Sequence, residues 1–134
     1  MREIKFRGKR IDNGEWICGD LTQSYPNDYP PEIKVTWWER KEGFYSTNPV
    51  ILETVGQYTG LKDKNGVKIY EGDISESLAG AFVVEWIDDI TRFCICWCVN
   101  KKLYDKIPLT KELAEMAEVI GNIHDNPELL EVQS

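Results

Sequence analysis

Three cysteines at alternate positions, Cys94, Cys96 and Cys98 in the run FCICWCV, are the densest set of potential metal ligands in the chain. Aromatic and apolar neighbours mark that run as a β-strand. On a strand, residues two apart share a face about 6.6 Å from one another, so the outer two sulfurs lie about 13 Å apart. Thiolates on one zinc each sit about 2.3 Å from the metal, which that separation forbids. The three thiols are therefore expected to fill a core face, unpaired and free of metal. Cys18, the fourth cysteine, stands far away in sequence.

The remaining chemistry is sparse. His124 is the single histidine. It stands in GNIHDNPELL, where a turn or surface role fits better than acid–base work. Asp88 and Asp89 are adjacent, so they read as turn residues. Asp63 and Glu71 flank a hairpin and could approach one another, but no nucleophile or metal partner accompanies them. No phosphate-binding glycine loop, dinucleotide fingerprint or nucleophile elbow occurs. The expectation is a protein that is not an enzyme and uses no cofactor.

Charge and aromatic content point instead to binding. The net charge is −7, unevenly placed. Residues 1–10 hold five basic and one acidic residue, while the remainder holds 11 basic and 22 acidic ones. Alternation puts Lys5, Arg7 and Lys9 on one face of the leading strand, where they could steer a partner or track a nucleic-acid backbone. Trp37 and Trp38 are neighbours, as are Phe44 and Tyr45. On strands, one member of each pair faces away from the other, so these four are candidate anchors of a protein interface.

The elements that must position these residues are mostly short strands. EIKFRGKRIDNGEWICGDL reads as a hairpin turned by Asp-Asn-Gly, since Asn and Gly tolerate the positive φ of tight turns. The proline-rich TQSYPNDYPPE is a loop. IKVTWW is a strand, GFYS can pair as a short one, and VILETVGQYTG reads as strand then turn. Asp63 to Gly66 supply a second hairpin turn. VKIYEGDI leaves it, with Val67 and Ile69 expected on one face and a bend at Gly72 before Asp73. AFVVEWID and RFCICWCV follow, the second apolar on both sides and therefore central. LTKELAEMAE is the helix, capped by Thr110, with Leu109, Leu113 and Met116 as its buried stripe. VIGNI is a last strand, and DNPELL a short terminal helix with Asn126 as cap.

Three stretches together resemble one family. VGQYTGLKDKNGVKIYEGDI, residues 55–74, carries the strongest likeness, and VIGNIHDNPELLE and IKFRGKRIDNGEWICGDL add the two ends. The chain is identified on these motifs as a member of the YopX family of phage and prophage proteins. That family usually has an aromatic where His124 stands. The resemblance implies a phage or prophage gene, an SH3-type barrel in the C-terminal half, N-terminal strands packed beside it, and self-association. It brings no catalytic residue to carry over. Its motif residues Gly60, Asp63, Asn65, Gly66, Gly72 and Asp73 are those that hairpin geometry also demands.

The expected architecture is thus mainly β: an N-terminal β subdomain over 1–50 and an SH3-type barrel portion over 51–134, with one or two short helices. MREIKFRGKR lacks the apolar core of a secretory signal, and no apolar run is long enough for a membrane span, so the expected location is the cytoplasm. The expected role is a self-associating module that binds a phage or host protein. The alternative is a nucleic-acid accessory protein using Lys5, Arg7 and Lys9.

Overall fold

A computed structural model describes residues 3–23, 30–36, 45–78, 80–99 and 102–130; for residues 36, 45, 98, 99 and 102–106 it describes the backbone alone. The strands form two antiparallel sheets, neither closed. The chain divides into two compact units, Met1–Tyr58 and Thr59–Ser134. Among the described residues, no helix is long and apolar enough to cross a membrane.

In the first unit, β1 (Phe6–Lys9) and β2 (Trp16–Thr22) form the N-terminal hairpin. β3 (Glu32–Thr36) pairs with β2, and β4 (Tyr45–Pro49) with β3. The opening of β5 (Gly56–Lys62) pairs with β1, giving the order β4-β3-β2-β1-β5. Ile33 and Val50 are fully buried. Residues Leu52–Thr54 form a 3-10 turn rather than the strand that VILET predicts. Thr54 holds it: its hydroxyl donates to the Ile51 carbonyl at 2.6 Å and accepts from the Lys9 amide at 2.9 Å.

The second unit continues β5 into β6 (Lys68–Tyr70). A meander of β7 (Asp73–Ser77), β8 (Gly80–Ile87), β9 (Arg92–Val99) and β10 (Lys102–Pro108) follows. The short helix α1 (Lys111–Glu115) leads to β11 (Glu118–Asn122), which returns beside β7. The order is β10-β9-β8-β7-β11.

Alternation explains why β9 is apolar on both sides. Phe93, Ile95 and Trp97 lie opposite Trp86, Val84 and Phe82 of β8. Ring centroids are 5.1 Å apart for Trp86–Phe93 and 5.2 Å for Phe82–Trp97, both edge-to-face. This face joins Ile69, Leu109, Ala114 and Ala117 in the core. Burying each large aliphatic side chain there contributes about 1.5–3 kcal/mol. Cys94 and Cys96 point the other way and are also fully buried, as an interior strand requires. Cys18, by contrast, is exposed. The side chain of Cys98 lies outside the described residues.

Several local readings are corrected. VKIYEGDI is two strands, because the chain turns sharply at Gly72, where φ is +91°. Val67 is exposed and does not share the buried face of Ile69; the turn reaches through it. The Thr110 hydroxyl accepts from the Leu113 amide and so caps α1; Leu109 is buried and Leu113 packs against the core as expected, joined by Ala114 within the helix and Ala117 just past its end. Met116, at the helix C-cap, is exposed. Asn126 does not cap Pro127–Leu130 with its side chain; its Oδ1 accepts from the Asn122 amide at 3.3 Å.

Candidate functional site

Two places gather the residues that the sequence singles out, one in each unit. In the first, β1 pairs with β2 in a register that sets Lys9 opposite Trp16 and Arg7 opposite Cys18. Residues directly opposite one another share a face. Arg7, Lys9, Trp16 and Cys18 therefore stand together, and Lys5, just before β1, lines a hollow with Cys18. The Arg7 guanidinium carbon lies 4.8 Å from the centre of the Trp16 ring, and the Lys9 ammonium 5.5 Å. Each cation is attracted to the electron-rich ring, and with all three side chains half-buried each contact contributes about 1 kcal/mol. β3 adds Lys34, which its register places opposite Asp20.

The second place is the turn between β5 and β6. Asp63 is buried, and its carboxylate is spent on backbone donors. Oδ1 accepts from the Asn65 amide at 2.8 Å and the Val67 amide at 2.9 Å. Oδ2 accepts from the Val119 amide of β11 at 2.9 Å. Burial pushes the Asp63 carboxyl up, but these three bonds and the Lys64 charge outweigh it and hold the group below its ordinary value. Both oxygens thus serve the fold.

The rest of the motif works alike. Gly60 and Gly66 take φ of +90° and +80°, a region that side-chain-bearing residues rarely adopt. The Gly66 amide donates to the Asp63 carbonyl at 3.0 Å, and the Lys64 amide to the Ala117 carbonyl at 3.0 Å. The Asn65 side-chain amide reaches Glu118 Oε1 at 3.4 Å. Asp73 is buried and accepts from the Tyr70 amide at 2.7 Å, closing the turn at Gly72. The Gly72 amide donates to Val84 and its carbonyl accepts from Ile123. Near the end of the chain, Asn122 Oδ1 accepts from the amides of His124 and Asp125, so His124 sits in a turn.

Trp37, Trp38 and Phe44 lie outside the described residues, as does the side chain of Tyr45, whose backbone opens β4. Three residues of the first site escape a reading from sequence: Trp16, Cys18 and Lys34. Once the hairpin turn at Asn13-Gly14 is assigned, counting back along both strands finds Trp16 and Cys18. Lys34 depends on the β2–β3 register, which no tight turn fixes.

Over residues 5–131 the chain matches the family described as YopX protein. A crystal structure of protein EF1440 from Enterococcus faecalis is similar across its full length. It is 28% identical, with a TM-score of 0.58, covering 98% of this chain and 100% of that one. No curated protein matches the chain.

Proposed function

The chain belongs to the YopX family, and from that premise we propose a phage- or prophage-encoded, non-enzymatic interaction module that works in the bacterial cytoplasm, self-associates and binds a phage or host protein. One observation carries the binding part: Arg7 and Lys9 share a face of the first unit with Trp16, and Lys5 lies beside Cys18 next to them. A chain of net charge −7 that gathers cations on one sheet face has a surface whose sign differs from the rest. Acidic partners are steered to it. Self-association uses the aromatic anchors Trp37, Trp38, Phe44 and Tyr45. The second unit is read as an SH3-type barrel left open. The β7–β10 meander, the short helix and the return of β11 beside β7 support that reading.

The second reading is nucleic-acid binding, favoured by the same cluster of Lys5, Arg7 and Lys9. Two features count against it. Residues 11–134 carry a net charge of −11, which disfavours a polyanion. The Trp16 ring, which would be the stacking platform, already has two cations over it.

The test is affinity capture from phage-infected cells with the wild type and with Arg7→Glu/Lys9→Glu. The expected result is a partner protein retained by the wild type and lost with the charge reversal. Equal capture by both removes the basic face from the reading. Light scattering across the micromolar range tests self-association, and a monomer mass throughout refutes it.

A further inference from the structure

Asn-Gly occurs twice in the chain, at Asn13-Gly14 and Asn65-Gly66. Such a pair carries a chemistry of its own. The backbone nitrogen of the glycine gives up its proton to solvent and attacks the side-chain carbon Cγ of the asparagine. A C–N bond forms, the Cγ–Nδ2 bond breaks, and the expelled nitrogen takes up a proton and leaves as ammonia. Water then opens the cyclic imide at one carbonyl or the other, giving aspartate or isoaspartate. The sum is one water taken up and one ammonia released, with no oxidation. Glycine permits the attack because it brings no side chain to hinder it, and asparagine is for this reason thermolabile.

The structure treats the two pairs differently. Both asparagines and both glycines are exposed, so solvent access does not separate them. Both glycine amides are engaged, Gly14 with the Arg10 carbonyl at 2.9 Å and Gly66 with the Asp63 carbonyl at 3.0 Å. Attack therefore requires the turn to open, and what differs is what opening breaks. The first turn is closed only by its own bonds, from the Arg10 amide to the Glu15 carbonyl at 2.9 Å and from the Glu15 amide to Asn13 Oδ1 at 2.9 Å. An exposed turn held locally opens at little cost. Opening the second pulls on Asp63, which is buried and also holds the Val119 amide, and on the Lys64 amide, bonded to the Ala117 carbonyl.

The side chains differ too. Asn13 Oδ1 accepts from an amide two residues on, which folds the side chain back over the peptide that follows it. The same donor faces the oxygen on which negative charge develops during attack. Asn65 is held at its other end: Nδ2, the group that must leave, donates to Glu118 Oε1 at 3.4 Å. We propose that Asn13 is a site of spontaneous deamidation, and that Asn65, with the same following residue, is protected by its ties to β11. Either product adds a negative charge, and isoaspartate also lengthens the main chain by one carbon, in the turn that sets Lys9 opposite Trp16. The proposal does not depend on what the basic face binds.

The test ages the full chain at pH 8.5 and 37 °C in water enriched in oxygen-18 and follows the label at each position by peptide mass mapping. Fragmentation by electron transfer separates aspartate from isoaspartate. Position 13 should convert several-fold faster than position 65. In 6 M guanidinium, where neither turn exists, the two should convert at similar rates. In the folded chain, Asp63→Ala and Glu118→Ala should each speed conversion at position 65. Folding of each variant is checked by its thermal transition, and Glu118→Ala decides if Asp63→Ala fails to fold. The aged fraction, separated by its added charge on anion exchange, should show faster amide exchange across β1 and β2 and unchanged exchange across β7–β11.

Conversion at position 65 as fast as at position 13 in the folded chain overturns the proposal. So does silence at position 13 over four weeks while the guanidinium sample converts. Unchanged conversion at position 65 in both folded variants overturns protection by β11. Unchanged amide exchange across β1 and β2 in the aged fraction confines the modification to the turn and overturns its effect on the hairpin.

Discussion

Two turns of this chain are written almost alike and do different work. Asp12-Asn13-Gly14 turns β1 into β2, and Asp63-Lys64-Asn65-Gly66 turns β5 into β6. Each has a glycine at positive φ, +72° at Gly14 and +80° at Gly66. The first turn is closed by its own atoms. The Gly14 amide donates to the Arg10 carbonyl, and Asn13 Oδ1 accepts from the Glu15 amide at 2.9 Å. Asp12 stays in solvent. The second turn is also closed locally, but Asp63 is buried, and its second oxygen takes the amide of Val119, 56 residues away. Asn-Gly makes a turn in either place. A buried carboxylate at the head of the turn makes it a tie between a hairpin and a distant strand.

The largest expected effect comes from cutting that tie. Asp63→Ala removes three part-buried hydrogen bonds to a buried carboxylate, at a cost of about 3 kcal/mol, since each such bond contributes about 1 kcal/mol. The matching change in the first turn, Asn13→Ala, removes one exposed bond and should cost under about 1 kcal/mol. Denaturant melts of the two variants measure the gap. Hydrogen exchange sharpens it: the Val119 amide should lose protection in Asp63→Ala beyond the change in global stability. Equal destabilisation by the two substitutions would erase the distinction between the turns.

Acid should expose the same asymmetry. The Asp63 carboxyl lies below its ordinary value of 3.8, because the amides of Val119, Val67 and Asn65 and the Lys64 charge prevail over burial. A depressed carboxyl stabilises the fold fully above 3.8, and the contribution is lost as pH falls below that value towards the folded-state one. Asp63→Asn cannot titrate. The stability gap between wild type and Asp63→Asn should therefore be widest near neutrality and narrow below pH 3.8. A gap that stays constant down to pH 2 would sink the assignment of that acid dependence to Asp63.

The glycines should behave alike where the aspartates do not. A Cβ at either Gly14 or Gly66 would meet nothing within 4 Å, so crowding plays no part. Backbone strain remains, and Gly66→Val and Gly14→Val should each cost about 1 kcal/mol or more. Thermal melts showing Gly66→Val as stable as wild type would contradict the positive φ on which the turn depends. A much larger loss at Gly66 than at Gly14 would mean that strain there spreads through Asp63 to β11.

What could be read in the sequence follows the same division between local and distant. Both Asn-Gly turns were legible, because their chemistry lies within four residues. So were the cap at Thr110 and the central place of RFCICWCV, whose two apolar faces require cover on both sides. Of the expected stripe Leu109 and Leu113 reach the core, and Met116 does not because the helix ends after five residues, before the position that would carry it round. β10 was missed: KLYDKIP mixes charges and ends in proline, as an edge strand does, and gives no apolar alternation. At the candidate site, Lys5, Arg7 and Lys9 were found by alternation alone. Lys34 was not, since its place depends on the β2–β3 register. The bond from Asp63 to Val119 was hidden for the same reason: nothing near Asp63 names its second partner.

The smallest expected effect belongs to the most conspicuous polar contact of the first turn. Arg10 grips Asp12 with two bonds, Nε to Oδ1 at 3.0 Å and Nη2 to Oδ2 at 2.6 Å. The geometry is that of a strong pair, but the side chains are 31% and 63% exposed. Water and salt screen the attraction, and both side chains lose freedom to form it, so such pairs contribute about 0.5 kcal/mol or less. Asp12→Ala should accordingly shift the denaturation midpoint barely beyond error, and by less at 0.5 M salt than at 50 mM. Asp12 and Asp63 are each the aspartate that opens an Asn-Gly turn, and what separates them is burial and a distant partner, not the number of bonds accepted. If Asp12→Ala destabilised the protein by about 3 kcal/mol, matching the effect expected when three bonds to a buried carboxylate are lost, burial of the carboxylate could not be what separates the two turns. The first hairpin would then have to be anchored through Asp12 as the second is through Asp63.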